Sequence, residues 1–425
     1  MRYWLETLGC PKNQVDSDKL AGTLEAEGYW RAATPGSADL VVVNTCAFIE
    51  EARQESIDTI LALSEARRSG ARVVVTGCMA ERYGHELAEA LPEVDRVAGF
   101  GVPVTLGRKR DELEGAAGAV PSFDLLNLPR PPASAPWAYV KVAEGCDRNC
   151  GFCAIPSFRG RQRSRDPEDI LSEVDNLAVE EIVLVAQDLA SYGRDLAGMN
   201  RRRRIEQLVR AVAERVSRVR LLYLYPSELD DGLIQAMGET GCPYYDLSLQ
   251  HVSRPLLRKM RRWGDGARFL NRIEQIRQAD PDAAFRSSFI VGYPGETEDD
   301  HDQLLAFLEE AELDWAGFFP FSLEEGTYAA GLPGQVPASL ATDRLGEASE
   351  LQDRITARRR QSLVGRTVRV LVDEPGVARG HREAPEIDGV VRVASHLRPG
   401  SWQDVVVTGA EGPDLDAEPA LAGAR

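Results

Sequence analysis

Three strand-like segments in the first hundred residues each stop at a cysteine: Leu8-Gly9-Cys10, Asn44-Thr45-Cys46 and Thr76-Gly77-Cys78. The segments run from Tyr3 to Leu8, Asp39 to Asn44 and Arg72 to Thr76, and helix-like stretches separate them. This alternation predicts a parallel α/β sheet. Parallel strands present their carboxyl ends on one edge, where open sheets bind ligands, so three distant cysteines become neighbours. One cysteine at a strand end is ordinary core packing; three in the same topological place point to a shared ligand. The helices are expected to run from a cap at Asp16-Ser17 through Glu27, and from Ile49 to Arg68 with Ile57, Ile60, Leu61 and Ser64 at helical spacing.

A second set, Cys146, Cys150 and Cys153, lies in the stretch Glu144-Gly145-Cys146-Asp147-Arg148-Asn149-Cys150-Gly151-Phe152-Cys153. Three thiolates so close can hold three irons of a cubane [4Fe-4S] cluster and leave the fourth open to another ligand. Zinc is the competing reading, but structural zinc takes four protein ligands and no histidine stands near. With Cys242 the chain has seven cysteines, an odd number that favours metal binding over disulfides. Cys242 has no partner at cluster spacing and reads as a buried or incidental thiol.

A chain of 425 residues predicts two to four domains. Residues 1–100 form the first, and 101–135, rich in Gly, Pro and Ala, read as a linker. Six strand-like runs follow at Ala138 to Val142, Glu181 to Ala186, Arg220 to Tyr225, Tyr245 to Leu249, Ala284 to Val291 and Trp315 to Phe321. They predict an incomplete β/α barrel over 136–360, with the second cysteine loop at its mouth. Helix is expected from Leu340 to Leu363. Strands at Val368 to Val372, Gly389 to Val393 and Asp404 to Val407 suggest a small β-barrel in 361–425, with Glu411 to Arg425 as a mobile acidic tail. No apolar run is long enough to cross a bilayer, and the amino terminus lacks a signal peptide's apolar core, which predicts a cytoplasmic protein. The net charge of −17 opposes a large nucleic-acid footprint and suits a basic protein partner.

The second cysteine loop resembles that of the radical S-adenosylmethionine (SAM) enzymes, in which SAM chelates the open iron and the reduced cluster cleaves it to a 5′-deoxyadenosyl radical. A three-cysteine amino-terminal domain, a partial (β/α)6 radical SAM barrel and a small carboxyl-terminal β-barrel of the TRAM type together resemble the methylthiotransferases over almost the whole chain. Within that family, Leu8-Gly9-Cys10-Pro11-Lys12-Asn13, Asn44 to Ile49, Glu55 to Ile60 and Ala384 to Gly389 are similar to the branch that modifies an aspartate of ribosomal protein S12. Ala47 and Ser248 depart from the usual pattern at non-ligand positions.

The resemblance implies two [4Fe-4S] clusters, one on Cys10, Cys46 and Cys78 and one on Cys146, Cys150 and Cys153. It implies two SAM, one as methyl donor and one as radical source, and an external sulfur donor and electron donor. It also implies SAM contacts from Phe152, Gln187, Arg286 and the turn Gly292-Tyr293-Pro294-Gly295. Each has an ordinary structural alternative: loop packing for Phe152, an internal salt bridge for Arg286, a tight turn capped by Thr297 for the glycines. Gln187, Asp188, Gln250 and His251 end barrel strands and are expected at the mouth, His251 as a structural hydrogen-bonding group. The basic run Arg201 to Arg204 reads as a solvated helix start with RNA contact secondary. The competing functions are a tRNA adenosine methylthiotransferase and a non-catalytic iron–sulfur protein that binds the ribosome.

Overall fold

A computed structural model of the chain describes residues 1–104, 124–196 and 204–420. Its first part is a five-stranded parallel sheet in the order β2-β1-β3-β4-β5. The strands are β1 (Arg2–Thr7), β2 (Trp30–Arg31), β3 (Leu40–Thr45), β4 (Arg72–Gly77) and β5 (Arg96–Val97). Helices α1 (Pro11–Ala26), α2 (Glu50–Ala66) and α3 (Cys78–Ala90) connect them. The Val41-Val42-Val43 and Val73-Val74-Val75 runs are buried on both faces, as central parallel strands must be. Helix α1 starts at Pro11, earlier than the Asp16-Ser17 cap read from sequence. Pro11 supplies the preset φ of a first helical position, so Cys10 becomes the residue before the helix and Asp16 and Ser17 are buried inside it.

The second part holds six parallel strands: β6 (Trp137–Lys141), β9 (Glu181–Val185), β10 (Arg218–Leu221), β11 (Tyr244–Gln250), β12 (Ala284–Val291) and β13 (Trp315–Pro320). They pair as β10-β9-β6 and β11-β12-β13, joined by one parallel bridge between Leu224 and Leu247. The resulting partial barrel is open between β6 and β13. The short pair β7 (Ala143–Glu144) and β8 (Arg163–Ser164) ties together the two ends of the cysteine loop, which encloses α4 (Ile155–Arg159). Helices α5 (Pro167–Leu177), α6 (Arg204–Ala213), α7 (Asp231–Gly238), α8 (Arg254–Lys259), α9 (Gly266–Ala279) and α10 (Glu298–Ala311) cover the outside. The long α11 (Ala338–Gln361) packs on β13 and leads out of the barrel.

The third part is a closed barrel, β14-β15-β16-β18-β17. Its strands are β14 (Thr367–Glu374), β15 (Val377–Arg379), β16 (Val391–Arg392), β17 (Trp402–Glu411) and β18 (Asp414–Pro419). The acidic stretch read as a mobile tail is thus a strand as far as Pro419. Leu415 and Ala417 alternate into the core while the acidic residues between them face outward, and antiparallel pairing with β17 closes the barrel.

Two elements seal the open side of the larger barrel. Helix α1 packs on β6 and puts Val15 among the interior residues Tyr139, Val183, Val185 and Tyr244, and Ala384 from the third part joins them. Tyr139 donates to the carbonyl of Pro385 at 2.8 Å, and Trp315 Nε1 donates to that of Arg382 at 2.6 Å. At the amino ends of the strands Glu181 takes Arg220 at 2.8 Å and Arg379 of the small barrel at 3.1 Å. Burial opposes ionisation of Glu181, but Arg379, Arg220 and Arg218 overcome it and hold its carboxyl down at about 2. The described part of the 101–135 connection is also anchored, since Leu125 and Leu126 are buried and Lys19 Nζ donates to the Leu126 carbonyl at 2.5 Å. Of the Arg201 to Arg204 run, the first three lie outside the described residues, and Arg204 is buried at the start of α6. Among the described residues no helix is long and apolar enough to cross a membrane.

Candidate two-cluster site

Cys10, Cys46 and Cys78 stand where β1, β3 and β4 end, so the sheet edge gathers them as its topology requires. Cys46 and Cys78 are buried and Cys10 is half-buried. Asn13 fixes the edge by donating to the carbonyls of Leu8 at 2.9 Å and Thr45 at 3.0 Å. Gly9 has φ +93°, and a Cβ there would lie 2.8 Å from Cys46 Cβ and 2.9 Å from its Sγ, so only glycine lets the strand end pass. Burial raises the Cys10 thiol, yet Lys12 and Arg159 more than offset it and the net shift is downward. Burial and the two neighbouring thiols push Cys46 up to about 12.

The second loop leaves β7 at Glu144. Gly145 has φ +76°, and a Cβ on it would drive into the carbonyls of Arg161 and Gly160. Gly151 N donates to the Met260 carbonyl and its own carbonyl accepts from Ala329 N, both at 2.8 Å. The Arg148 backbone N–H points at Cys146 Sγ at 3.4 Å, and Arg262 Nη1 lies 3.4 Å from Cys150 Sγ. The Arg148 side chain pairs with Asp188 at 2.6 Å and Glu228 at 2.9 Å, and it and Arg262 stack on the Tyr225 ring at 3.9 and 4.0 Å. Burial raises Cys146 to about 11 and Cys153 to about 12. Iron binding there would require both thiols to surrender protons.

Arg159, at the end of α4, connects the two sets. Nη2 donates to Cys78 Sγ at 3.0 Å and to Asn13 Oδ1 at 2.7 Å, while Nη1 meets Glu144 at 3.0 Å and Asp16 at 3.1 Å. Lys141 shares both carboxylates, at 2.7 Å from Glu144 and also against Asp16. Two cations against two carboxylates neutralise one another, which is the condition for burying them. One guanidinium thus reaches from six residues past Cys153 to a thiol of the other sheet.

These residues fit iron–sulfur clusters and a bound cofactor. Among the described residues no three or more His, Cys, Asp or Glu are set to hold a single metal ion; a cubane asks instead for one thiolate at each of several corners. Buried Gln187 Oε1 and Asp188 Oδ1 have no hydrogen-bond partner in the protein. Gln187 donates through Nε2 to Glu144 at 2.8 Å, so its orphaned oxygen belongs to the second cysteine site.

The sequence matches three family models: the uncharacterized protein family UPF0004 over residues 2–99, the radical SAM superfamily over 140–308 and the TRAM domain over 364–419. It is 42% identical to the ribosomal protein uS12 methylthiotransferase RimO of Saccharopolyspora erythraea, covering 98% of this chain and 95% of that protein. It is 44% identical to that of Moorella thermoacetica, with 96% of each chain covered. The Streptomyces coelicolor protein is 41% identical over 98% of this chain and 96% of its own length. The chain belongs to the uS12 methylthiotransferase family. As a family member it is a radical SAM enzyme and uses iron–sulfur clusters and SAM.

The turn Gly292-Tyr293-Pro294-Gly295 stands beside the second loop. A Cβ on Gly151 would lie 2.9 Å from the Tyr293 hydroxyl, so the turn 292–295 backs directly onto the cysteines. Gly292 and Gly295 are also needed for packing, against Ala341 at 2.7 Å and Lys259 Nζ at 2.5 Å, and Thr297 caps α10 through a capping box with Asp300. Phe152 is half-buried and packs on the barrel core. Arg286 is different. It pairs with Asp246 at 3.1 Å and with Asp388 at 3.5 Å and sits third along β12, about five residues or ~16 Å of strand from the mouth. The internal salt bridge replaces the expected SAM contact. His251 is fully buried, accepts from Ser253 N at 3.1 Å and faces Glu296 at 3.7 Å. Arg159, Glu144, Lys141, Asp16, Arg148, Arg262 and Glu324 escaped the sequence reading. Glu144 and Arg148 carried a hint, since each lies two residues from Cys146.

Proposed function

We propose that this chain inserts a methylthio group at the β-carbon of an aspartate of ribosomal protein uS12, with Cys10, Cys46 and Cys78 binding one [4Fe-4S] cluster and Cys146, Cys150 and Cys153 the other. The observation that carries the reading is the Arg159 bridge, which ties Cys78 of one three-thiol site to Glu144, two residues before Cys146 of the other. The clusters and two SAM supply sulfur activation, methyl donation and hydrogen abstraction. That chemistry suits an aspartate β-carbon, whose hydrogens are too weakly acidic for a side-chain base.

The protein's own residues hold and shield. Arg148, fixed by Asp188 and Glu228, presents its backbone N–H to Cys146, and Arg262 presents Nη1 to Cys150. Gln187 Oε1, Phe152 and the turn at Gly292 and Gly295 are assigned to the SAM pocket. Glu324, after β13, accepts from Arg53 at 2.6 Å and Arg82 at 2.7 Å and clamps the first sheet over the barrel mouth. The working divisions are 1–100, 136–360 and 361–425 with a connection at 101–135. Sulfur and electrons come from external donors, and nucleic-acid contact is secondary for a chain of net charge −17.

The decisive experiment supplies reconstituted enzyme, SAM, reductant and sulfide to purified uS12 and, separately, to tRNA. A mass gain on uS12 alone is expected; a gain on tRNA alone transfers the assignment to the adenosine-modifying branch, and zinc in place of iron removes the enzyme reading.

A further inference from the structure

Lys12 is an unpaired cation among paired ones. The other cations packed along this seam each meet carboxylates: Lys19 meets Glu173, Lys141 and Arg159 share Asp16 and Glu144, and Arg286 takes Asp246 and Asp388. Apart from the neighbouring Cys10 thiol, which it acidifies, the Lys12 ammonium meets the face of Tyr223, with Nζ 3.4 Å from the ring centroid, and it has no carboxylate among the described residues. It is half-buried two residues past Cys10, in the first turn of α1, where the helix dipole disfavours a positive charge. Tyr223 is unusual too. Its φ of +65° is rare for an aromatic residue and is held by its N–H donating to Asp246 Oδ2 at 2.9 Å. A costly cation and a strained aromatic thus meet beside the first cysteine site, facing the barrel interior.

We infer that Lys12 receives the carboxylate of the substrate aspartate and sets the enzyme's preference for an acidic side chain. The inference rests on the functional reading above. The ring covers one side of the ammonium and leaves N–H donors free for an acceptor of single negative charge. A carboxylate held there would bring its β-carbon to the side of the first cysteine site, since Lys12 stands two residues past Cys10. The tyrosine limits the ammonium's motion, so the charge is positioned before the substrate arrives.

The test compares purified uS12 with a uS12 variant carrying asparagine at the target aspartate, as binders of the reconstituted wild-type, Lys12→Gln and Lys12→Arg enzymes. Wild type should prefer the aspartate form, Lys12→Gln should lose that preference and bind uS12 roughly 10- to 100-fold more weakly, and Lys12→Arg should keep most of it. Iron content should stay the same in all three. A Lys12→Gln enzyme that discriminates as sharply as wild type overturns the role of Lys12 alone. So does loss of iron from Lys12→Gln, because the ammonium would then serve the cluster. A wild-type enzyme that binds neither form overturns the functional reading and this inference together.

Discussion

Arg159 and Cys78 belong to different domains, and the guanidinium of the one donates to the sulfur of the other at 3.0 Å. A positive charge beside a ligand sulfur stabilises the more negative, reduced cluster. Arg159→Met should therefore lower the potential of the cluster proposed on Cys10, Cys46 and Cys78 and leave the other cluster's unchanged, with Arg159→Lys between. Opening the buried pairing should also cost about 3–5 kcal/mol. A redox titration followed by electron paramagnetic resonance reads both clusters, and equal potentials in wild type and Arg159→Met would sink the idea.

Glu324 offers a second separable effect. Glu324→Gln removes the charge that Arg53 and Arg82 share across the domain boundary, costing up to about 3 kcal/mol. Hydrogen exchange should quicken in 47–58 and 78–86, and methylthio transfer should fall while SAM cleavage continues. Unaltered exchange in both segments would show that the clamp is idle.

The loop glycines predict a specific loss of iron. Gly145→Ala crowds the Arg161 and Gly160 carbonyls and should, like Cys150→Ala, halve the iron content while the first cluster stays. Gly28→Ala has the same sign of φ but open space around it, so it should cost about 1 kcal/mol and keep both clusters. Full iron in Gly145→Ala would refute the crowding argument.

Asp388 makes stability depend on pH. Burial lifts its carboxyl to about 6, although Arg286 and the Tyr244 hydroxyl at 2.6 Å oppose the rise. One guanidinium facing both Asp246 and Asp388 is satisfied when a single carboxylate is ionised. Because the folded value exceeds the unfolded one near 4, the stabilisation is complete below pH ~4 and is lost as pH rises through about 6, by up to ~3 kcal/mol. Between pH 5 and 7 the wild-type Tm should fall relative to that of Asp388→Asn; parallel melting curves would contradict this.

The strand ends were readable because β1, β3 and β4 are valine-rich or alternating runs that stop at Gly-Cys or Thr-Cys; the barrel strands showed as apolar runs, with β10 at Arg218–Leu221 starting before the expected Arg220 to Tyr225. Residues whose meaning depends on a distant partner were not readable. Asp16 meets Lys141 and Arg159 across 125 and 143 residues, and no local pattern announces such a pairing. Strand β18 was hidden because Asp-Leu-Asp-Ala-Glu-Pro carries only two apolar residues, and closure of the small barrel makes them core. Arg286 misled because a basic residue on a barrel strand says nothing of its depth, and only the register with Asp246 places it low.

Among the described residues, α1 and the segment around Ala384 seal the seam between β6 and β13, which leaves the mouth, with exposed Phe48, Leu323 and Tyr328, as the entrance to the interior. A small cosubstrate and a protein loop must then use the same passage. SAM seated before uS12 arrives is the order expected of such a passage. Saturating uS12 added first should slow SAM binding, a kinetic signature imposed by a helix that starts one residue after Cys10.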